Sequence, residues 1–407
     1  LNYTNRKLIS NQILIMSTNN VNINGPINIV RLENKKIGKV VYLLFDYHKP
    51  LQFQVKCDDF TALNISQLLE RFFVKTNEFK TNKWDFLLEI QPSEFSKIFL
   101  GDRVHQDIYI MEVVNLFKKY IKINVDDKKL TVTSSKEYPN IRLHYLDLRL
   151  GYINNIDYWN LKDDIYSVNK NRNFEWDKVL NSLLDQYMEM PRLWINLLNS
   201  QEKNRNKFDT YGKMFYKLRN SYSEEFNKRT INKIIDSHVI PNYNKTVKKL
   251  KKLKKEIGKE YEKESEEYFS KDRVYIKKKK DCFYGIPLEN IFRMEYKLSD
   301  ILDENIMFGL SCPLMDLYTV RRIVDKPYIK NAIVYTGGYH SCEIIYYLVK
   351  YFDFEITNSF YSEMDIDKLN KHIKELKEFN WCKEFTVLIP EYLNQCSNMK
   401  GFPDMFM

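Results

Sequence analysis

The sequence predicts an α/β protein: a mixed or parallel central sheet flanked by helices, interrupted by a large helical insertion. Three observations predict it. At both ends of the chain, short runs rich in β-branched and aromatic residues alternate with helical patterns. From about Leu161 to Tyr268 the strand signal all but vanishes and long polar helical stretches take over. Glycine is 11 of 407 residues, far below common usage, which excludes collagen-like and most all-β repeat designs.

In chain order, Ile27 to Leu32 and Lys39 to Phe45 (KVVYLLF) read as strands, bounded by Gly25-Pro26 and Gly38. Asn64 to Val74 repeats apolar residues at helical spacing. Trp84 to Ile90 is a strand closed by Pro92, Gln106 to Ile121 an amphipathic helix, and Ile141 to Leu148 a strand. Strands separated by helices call for crossover connections and hence parallel neighbours. After the insertion, Met315 to Val324 is helical and stops before Pro327. Asn331 to Thr336 (NAIVYT) is a strand, Ser341 to Phe352 a helix and Phe354 to Thr357 a strand. Asp365 to Phe379 is a helix and Phe385 to Ile389 a strand. The expected organisation is a tail over 1–26, one α/β domain built from 27–160 and 301–390, a helical, lysine-rich insertion over 161–300, and a second tail over 391–407. Met16 is the first methionine, so the expected start is there, with the first fifteen residues either upstream translation or a disordered tail.

Composition narrows the function classes. Charged residues make up 29% and apolar residues 44%, so a substantial core can form and wholesale disorder is excluded. No apolar run approaches the length of a membrane helix, and no transmembrane segment is expected. Leu1 to Ile15 lacks the apolar centre and cleavage site of a secretory signal. The six cysteines have no CxxC pair or regular spacing, so they read as reduced, mostly buried thiols, and a zinc ribbon is excluded.

The net charge of +10 is local. Lys245 to Lys280 holds 15 basic and 7 acidic residues, whereas the remainder holds 49 and 47. Within that segment Val247, Leu250, Leu253 and Ile257 fall at helical spacing with lysines on the other faces. It reads either as a solvated amphipathic helix or as a patch that binds nucleic acid or an acidic protein.

Dinucleotide and P-loop glycine motifs, the GxSxG elbow, HExxH and the EF-hand loop are all absent. What remains is a placement. His48 follows KVVYLLF, Glu89 closes WDFLLE, and His340 follows NAIVYT, so each sits at the C-terminal end of an expected strand. In open α/β sheets that edge collects ligands and chemistry. Two imidazoles and a carboxylate meeting there could hold a divalent metal ion or let a histidine act as a general base. Asp46 is placed to orient an imidazole. Gly337 and Gly338 supply backbone that tolerates positive φ or close approach in a cofactor-binding turn. Asp147 and Arg149 form a candidate pair at the same edge, with Arg149 a stabiliser of developing negative charge. Asp316 and Arg321 form a similar pair on a helix, while His105, His144, His238 and His372 read as structural.

The blocks LLFDYH, WDFLLE and TGGYH resemble the motifs of the superfamily of Tiki/TraB-like proteins, erythromycin-esterase-like enzymes and haem-uptake lipoproteins. That resemblance implies a hydrolase-like α/β scaffold whose members range from metal-dependent peptidases to esterases and haem binders. This chain departs from it at Phe45, where the family has glycine, and at Asp46, where it has glutamate. The block CPLMDLYTVRRIVDKPYIKNAIVYTGGYHSCEIIYYLVKYFDF is similar to a family of uncharacterised proteins of large cytoplasmic DNA viruses. This second likeness implies residence in the host cytoplasm or in the virion. Two functional expectations follow: a metal-dependent or histidine-based hydrolase with a site at His48, Glu89 and His340, or an inactive viral structural or interaction protein that uses its basic helix.

Overall fold

The structure is a computed structural model that describes residues 21–48, 56–78, 83–90, 109–120, 122–126, 129–133, 138–147, 210–270, 282–283, 286–287, 312–377 and 387–403, with isolated residues between 185 and 199. The first stretch contains strands β1 (Asn22–Asn24), β2 (Asn28–Asn34), β3 (Lys39–Asp46) and β4 (Leu63–Asn64). Helix α1 (Ile65–Glu78), β5 (Trp84–Leu88), α2 (Tyr109–Tyr120), the hairpin β6 (Lys122–Asp126) and β7 (Lys129–Thr133), and β8 (Ile141–Tyr145) follow. The central stretch contributes α3 (Thr210–Asn220), α4 (Glu225–Ile234), α5 (Ile240–Ser270) and the short pair β9 (Cys282–Phe283) and β10 (Ile286–Pro287). The chain then forms α6 (Cys312–Asp325), β11 (Asn331–Gly337), α7 (Gly338–Tyr351), β12 (Glu355–Ser359), α8 (Ile366–Glu375) and β13 (Cys396–Asn398).

The chain divides into two compact units, one from Leu1–Asp147 with Arg322–Met407 and one from Leu148–Arg321. The first holds a six-stranded sheet in the order β12-β2-β3-β11-β5-β8. Strands β3, β11, β5 and β8 are mutually parallel. Strand β2 runs antiparallel to both β3 and β12. The sheet is therefore mixed, with a parallel heart whose four C-terminal ends share one edge.

Why these residues form that heart follows from their burial. Strands buried on both faces read as unbroken apolar runs, as KVVYLLF and NAIVYT do. On one face Tyr42, Leu44, Phe86, Leu88, Ile333 and Tyr335 join a single core with Leu69, Phe73, Val113 and Phe117 of α1 and α2. Phe86 and Phe117 meet with ring centroids 4.9 Å apart. On the other face α7 packs against β3 and β11 and is buried along almost its whole length.

Several elements depart from the sequence expectation. Residues 22–24 and 396–398, read as tails, pair antiparallel with each other, and β1 also pairs parallel with β4. Val387 and Leu388 lie in a helical turn rather than in a strand. The expectation of six reduced thiols is corrected: Cys57 and Cys396 form a disulfide, whereas Cys312 and Cys342 are free and buried. The pairing is tertiary and leaves no trace in spacing. The β1–β13 register sets Cys396 opposite Asn24, whose Oδ1 accepts the Cys57 backbone N–H at 2.9 Å.

In the second unit α4 runs through one π-helical turn, Ile235–Val239, into α5. Leu250 and Leu253 are buried, as the helical spacing predicts, and Lys245, Lys248, Lys251, Lys252 and Lys255 are exposed. Residues 271–280 of the basic segment lie outside the described residues, as does Arg149. No described helix is long and apolar enough to cross a membrane.

Candidate functional site

The three strand ends singled out in the sequence meet. His48 Nε2 lies 3.3 Å from Glu89 Oε2, and His340 Nε2 lies 3.4 Å from Glu89 Oε1. Glu89 thus stands between two imidazoles contributed by opposite halves of the chain. Its side chain and that of His340 are only 3% and 5% exposed, whereas His48 keeps 41% of its side chain open to solvent. A molecule arriving from solution meets the His48 ring first.

Local chemistry explains each placement. Asp46 ends β3, and its Oδ2 accepts both the backbone N–H of His48, at 3.1 Å, and His48 Nδ1, at 2.5 Å. The first of these closes an Asx-type turn, in which an aspartate carboxylate binds the backbone two residues on. His48 adopts φ 36°, in the left-handed region that non-glycine residues enter only when the surroundings impose it. The turn thus needs no glycine at Phe45; Asp46 and His48 make it themselves. Oδ1 of Asp46 accepts the Tyr335 hydroxyl at 2.9 Å, so both oxygens of this buried carboxylate are occupied.

Gly337 is needed for space rather than for conformation. Its φ is −54°, which any residue adopts. A Cβ there would stand 3.0 Å from His48 Nε2, 3.4 Å from His48 Cδ2 and 3.5 Å from Glu89 Oε2. Gly337 also caps α7, and with no side chain of its own to accept, its N–H donates to Glu89 Oε2 at 2.6 Å. Glu89 therefore serves as the helix's N-terminal acceptor from a neighbouring strand and gains from the helix dipole. Gly338 is the first helical residue and is buried.

Electrostatics follow from this clamp. Burial opposes charge on His48, but the Glu89 carboxylate, together with the Asp46 hydrogen bond, overcomes it and raises the pKa well above the ordinary imidazole range. His48 is an imidazolium at neutral pH, with both ring N–H groups aimed at carboxylates. Tyr335 is pushed well up by burial and by Asp46, so it stays a phenol and a donor.

These side chains converge, yet not as a metal-holding group. Among the described residues no set of three or more His, Cys, Asp or Glu side chains is arranged to hold an ion. His48 Nδ1 is on Asp46 Oδ2, its Nε2 faces Glu89 Oε2, and that oxygen also accepts the Gly337 N–H, so His48, Glu89 and His340 do not form the metal-holding set expected of them. Asp147 is buried near the same edge, with its backbone N–H on the Ile90 carbonyl at 3.2 Å. In the second unit Arg321 lies over the Tyr222 ring and donates to the Ser221 carbonyl.

Sequence reasoning missed two contributors. Tyr335 reads as one more apolar strand residue, and only the alternation that sets it on the Asp46 face signals its role. His144, read as structural, belongs to a separate polar cluster with Asp85 and Arg322: its Nε2 lies 2.6 Å from Asp85 Oδ1 and its Nδ1 2.7 Å from an Arg322 nitrogen.

A family model described as a family of unknown function, DUF5847, matches residues 21–171 and 151–407. Two uncharacterized proteins of Acanthamoeba polyphaga mimivirus are 30% and 32% identical to the chain, over 98% and 96% of its length and 100% and 99% of theirs. A third from the same virus is 28% identical over 95% of the chain and 97% of its own length. No solved structure matches. These matches support the giant-virus likeness and lend none to the Tiki/TraB-like or erythromycin-esterase-like resemblance. The chain belongs to DUF5847, a family represented in mimivirus.

Proposed function

We propose that the protein is a histidine-based hydrolase whose acid–base site is His48, Glu89 and His340, with Asp46 as the orienting acid. The observation that carries the reading is the His48 ring, partly open to solvent and held between two buried carboxylates at the C-terminal edge of parallel strands. A charged, exposed imidazole is a proton donor at neutral pH, and a carboxylate beside a second imidazole is a proton acceptor. On this reading Glu89, backed by His340, takes the proton of an attacking water. The water oxygen bonds to the scissile centre, the bond to the leaving group breaks, and His48 Nε2–H protonates the leaving atom. The proton held at Glu89 then returns to His48 across their 3.3 Å contact, and the site is reset. Asp46 keeps the ring in place throughout, anchored by the Tyr335 hydroxyl.

The test is turnover of a panel of chromogenic carboxylic and phosphoric esters by the full chain, with His48→Gln and Glu89→Gln beside it. A loss of 100-fold or more in both variants, with His48→Gln still folding cooperatively and melting above the assay temperature, is the expected result. Turnover of every ester at the same rate in all three proteins overturns the reading. Activity that depends on an added divalent ion and survives His48→Gln also overturns it.

A second reading has its own observation. The exposed lysines of α5 from Lys245 to Lys255 back onto buried Leu250 and Leu253, a cationic face suited to nucleic acid or an acidic protein. An inactive viral interaction protein would bind a DNA oligonucleotide with a steep salt dependence, and glutamine at those five lysines would abolish the binding.

A further inference from the structure

The small sheet β13-β1-β4 turns one face inward, and that face carries polar side chains the core does not satisfy. Opposite residues of an antiparallel pair share a face, and residues two apart on a strand share it too. Ile23 stands opposite Ser397, and one step further Gly25 N–H donates to the Gln395 carbonyl at 3.0 Å. Gln395, Ser397 and Met399 therefore lie on one side, with Ile23 and Gly25 beside them. Ile23 and Met399 belong to the core shared with α1, α2 and the six-stranded sheet, which marks this as the inward side. Asn24 and Cys396 take the other side, with Asn64 and Cys57.

Tyr109, the first residue of α2, closes the same space from above Gly25. A Cβ on Gly25, at φ 135°, would stand 3.4 Å from Tyr109 Cγ and 3.0 Å from Ile65 Cγ2. The missing side chain thus lets the Tyr109 ring rest against the backbone that pairs with Gln395. Tyr109 and Ser397 are fully buried, and Gln395 is 1% exposed. The Tyr109 hydroxyl, the Ser397 hydroxyl and both polar atoms of the Gln395 amide have no hydrogen-bond partner among the described residues. Unpaired buried polar atoms are costly, and native proteins carry few of them. Four around one glycine call for a guest. Burial, then Glu112 and Asp46, push the Tyr109 phenol up to about 12, so at neutral pH it remains a donor.

We propose that the space among Tyr109, Gln395 and Ser397 binds a small neutral molecule that both donates and accepts hydrogen bonds, either water or a small amide. The lining fits that chemistry: two hydroxyls and a carboxamide supply donors and acceptors together. All three side chains are neutral, so they favour a neutral guest over an ion, whose desolvation they could not offset. A polar buried site of this kind holds water through about three hydrogen bonds. The site is separate from His48, Glu89 and His340, so it stands or falls apart from the hydrolase reading.

The experiment is NMR on the full chain, reading cross-peaks from water to the side-chain amide protons of Gln395. A bound water gives a dipolar peak whose sign reverses between laboratory-frame and rotating-frame spectra, whereas proton exchange keeps one sign. A dipolar peak at Gln395 is the expected result. Added formamide separates the two guests. Saturable movement of the Gln395 amide with loss of the water peak marks a site that accepts amides, and no movement marks a site for water alone. Melting gives an independent reading, because a hydroxyl bonded to a guest stabilises the fold and an unpaired one weakens it. Tyr109→Phe and Ser397→Ala should each lower the melting temperature by about 2–4 °C. Absence of the dipolar peak together with no response to formamide overturns the proposal. A melting temperature unchanged or raised in both variants also overturns it.

Discussion

His48 and His144 are both held by carboxylates, and their environments drive them in opposite directions. His48 faces Asp46 and Glu89, and its pKa is raised despite burial. His144 is lowered chiefly by burial, with Arg322 and Arg142 adding to the fall and Asp85 opposing it. Linkage fixes the signs. A base with a raised folded pKa contributes stability that is complete below its unfolded value near 6.5 and is lost as pH rises through the folded value. A base with a lowered folded pKa contributes stability present above about 6.5 and lost as pH falls toward the folded value. Urea unfolding across pH 5 to 9 should therefore show His48→Gln flattening the alkaline side of the stability profile and His144→Gln flattening the acid side. The same slope in both variants would contradict the two environments described. Gly337→Ala is the complementary test of packing. Its backbone is unstrained, so the new methyl acts only by pushing the His48 ring off Glu89. About 1 kcal/mol of stability and at least tenfold of any His48-dependent turnover should be lost, measured by melting and by initial rates.

At the scale of elements, the parallel heart was legible because burial on both faces writes itself into unbroken apolar runs, and the convergence of His48, Glu89 and His340 was legible because strand ends share an edge. The direction of β2 was not, since its apolar run reads the same in either sense. The strands β1 and β13 were hidden for a related reason: three residues are too few for a period, and their pairing joins segments 376 residues apart at the Asn22 to Asn398 register. The capping of α7 was hidden too. Its acceptor, Glu89, comes from another strand rather than from the preceding residue, so no sequence signature of a helix start exists at Gly337. Glu89→Gln should therefore destabilise the fold by about 2 kcal/mol, the upper range for charge at a partly buried helix end, in addition to its effect on chemistry. In the second unit Leu250 is fully buried on α5, and Leu250→Ala should cost about 2–5 kcal/mol. Glutamine at its exposed neighbour Lys251 should leave the unfolding midpoint within error.

At the scale of the whole molecule, the Cys57–Cys396 bridge spans 339 residues of sequence and ties β13 to the segment that leads into β4 and α1. In the first unit the chain leaves the sheet after β8 and re-enters it at β11, so besides the bridge β13 is held by its three-residue pairing with β1, by contacts with β2, by Met399 and Phe402 in the core, and by contacts such as Gly25 N–H to the Gln395 carbonyl at 3.0 Å. A bridge over so long a loop restricts the unfolded chain strongly, and native bridges typically contribute about 2–4 kcal/mol. Each kcal/mol corresponds to roughly 2–4 °C for a unit of this size. Reduction, or Cys57→Ser with Cys396→Ser, should then lower the first unit's melting temperature by roughly 5–15 °C. The His48 site would be disturbed less, because its parallel strands are paired in the sheet without help from β13. The check is differential scanning calorimetry with and without reductant, followed by the His48 imidazole signal in the reduced protein below its melting point. An unchanged transition on reduction would mean that the β1–β13 pairing and the packing of Met399 and Phe402 hold the C-terminal strand without the bridge. Simultaneous loss of the His48 signal would mean that the bridge supports the site as well as the fold.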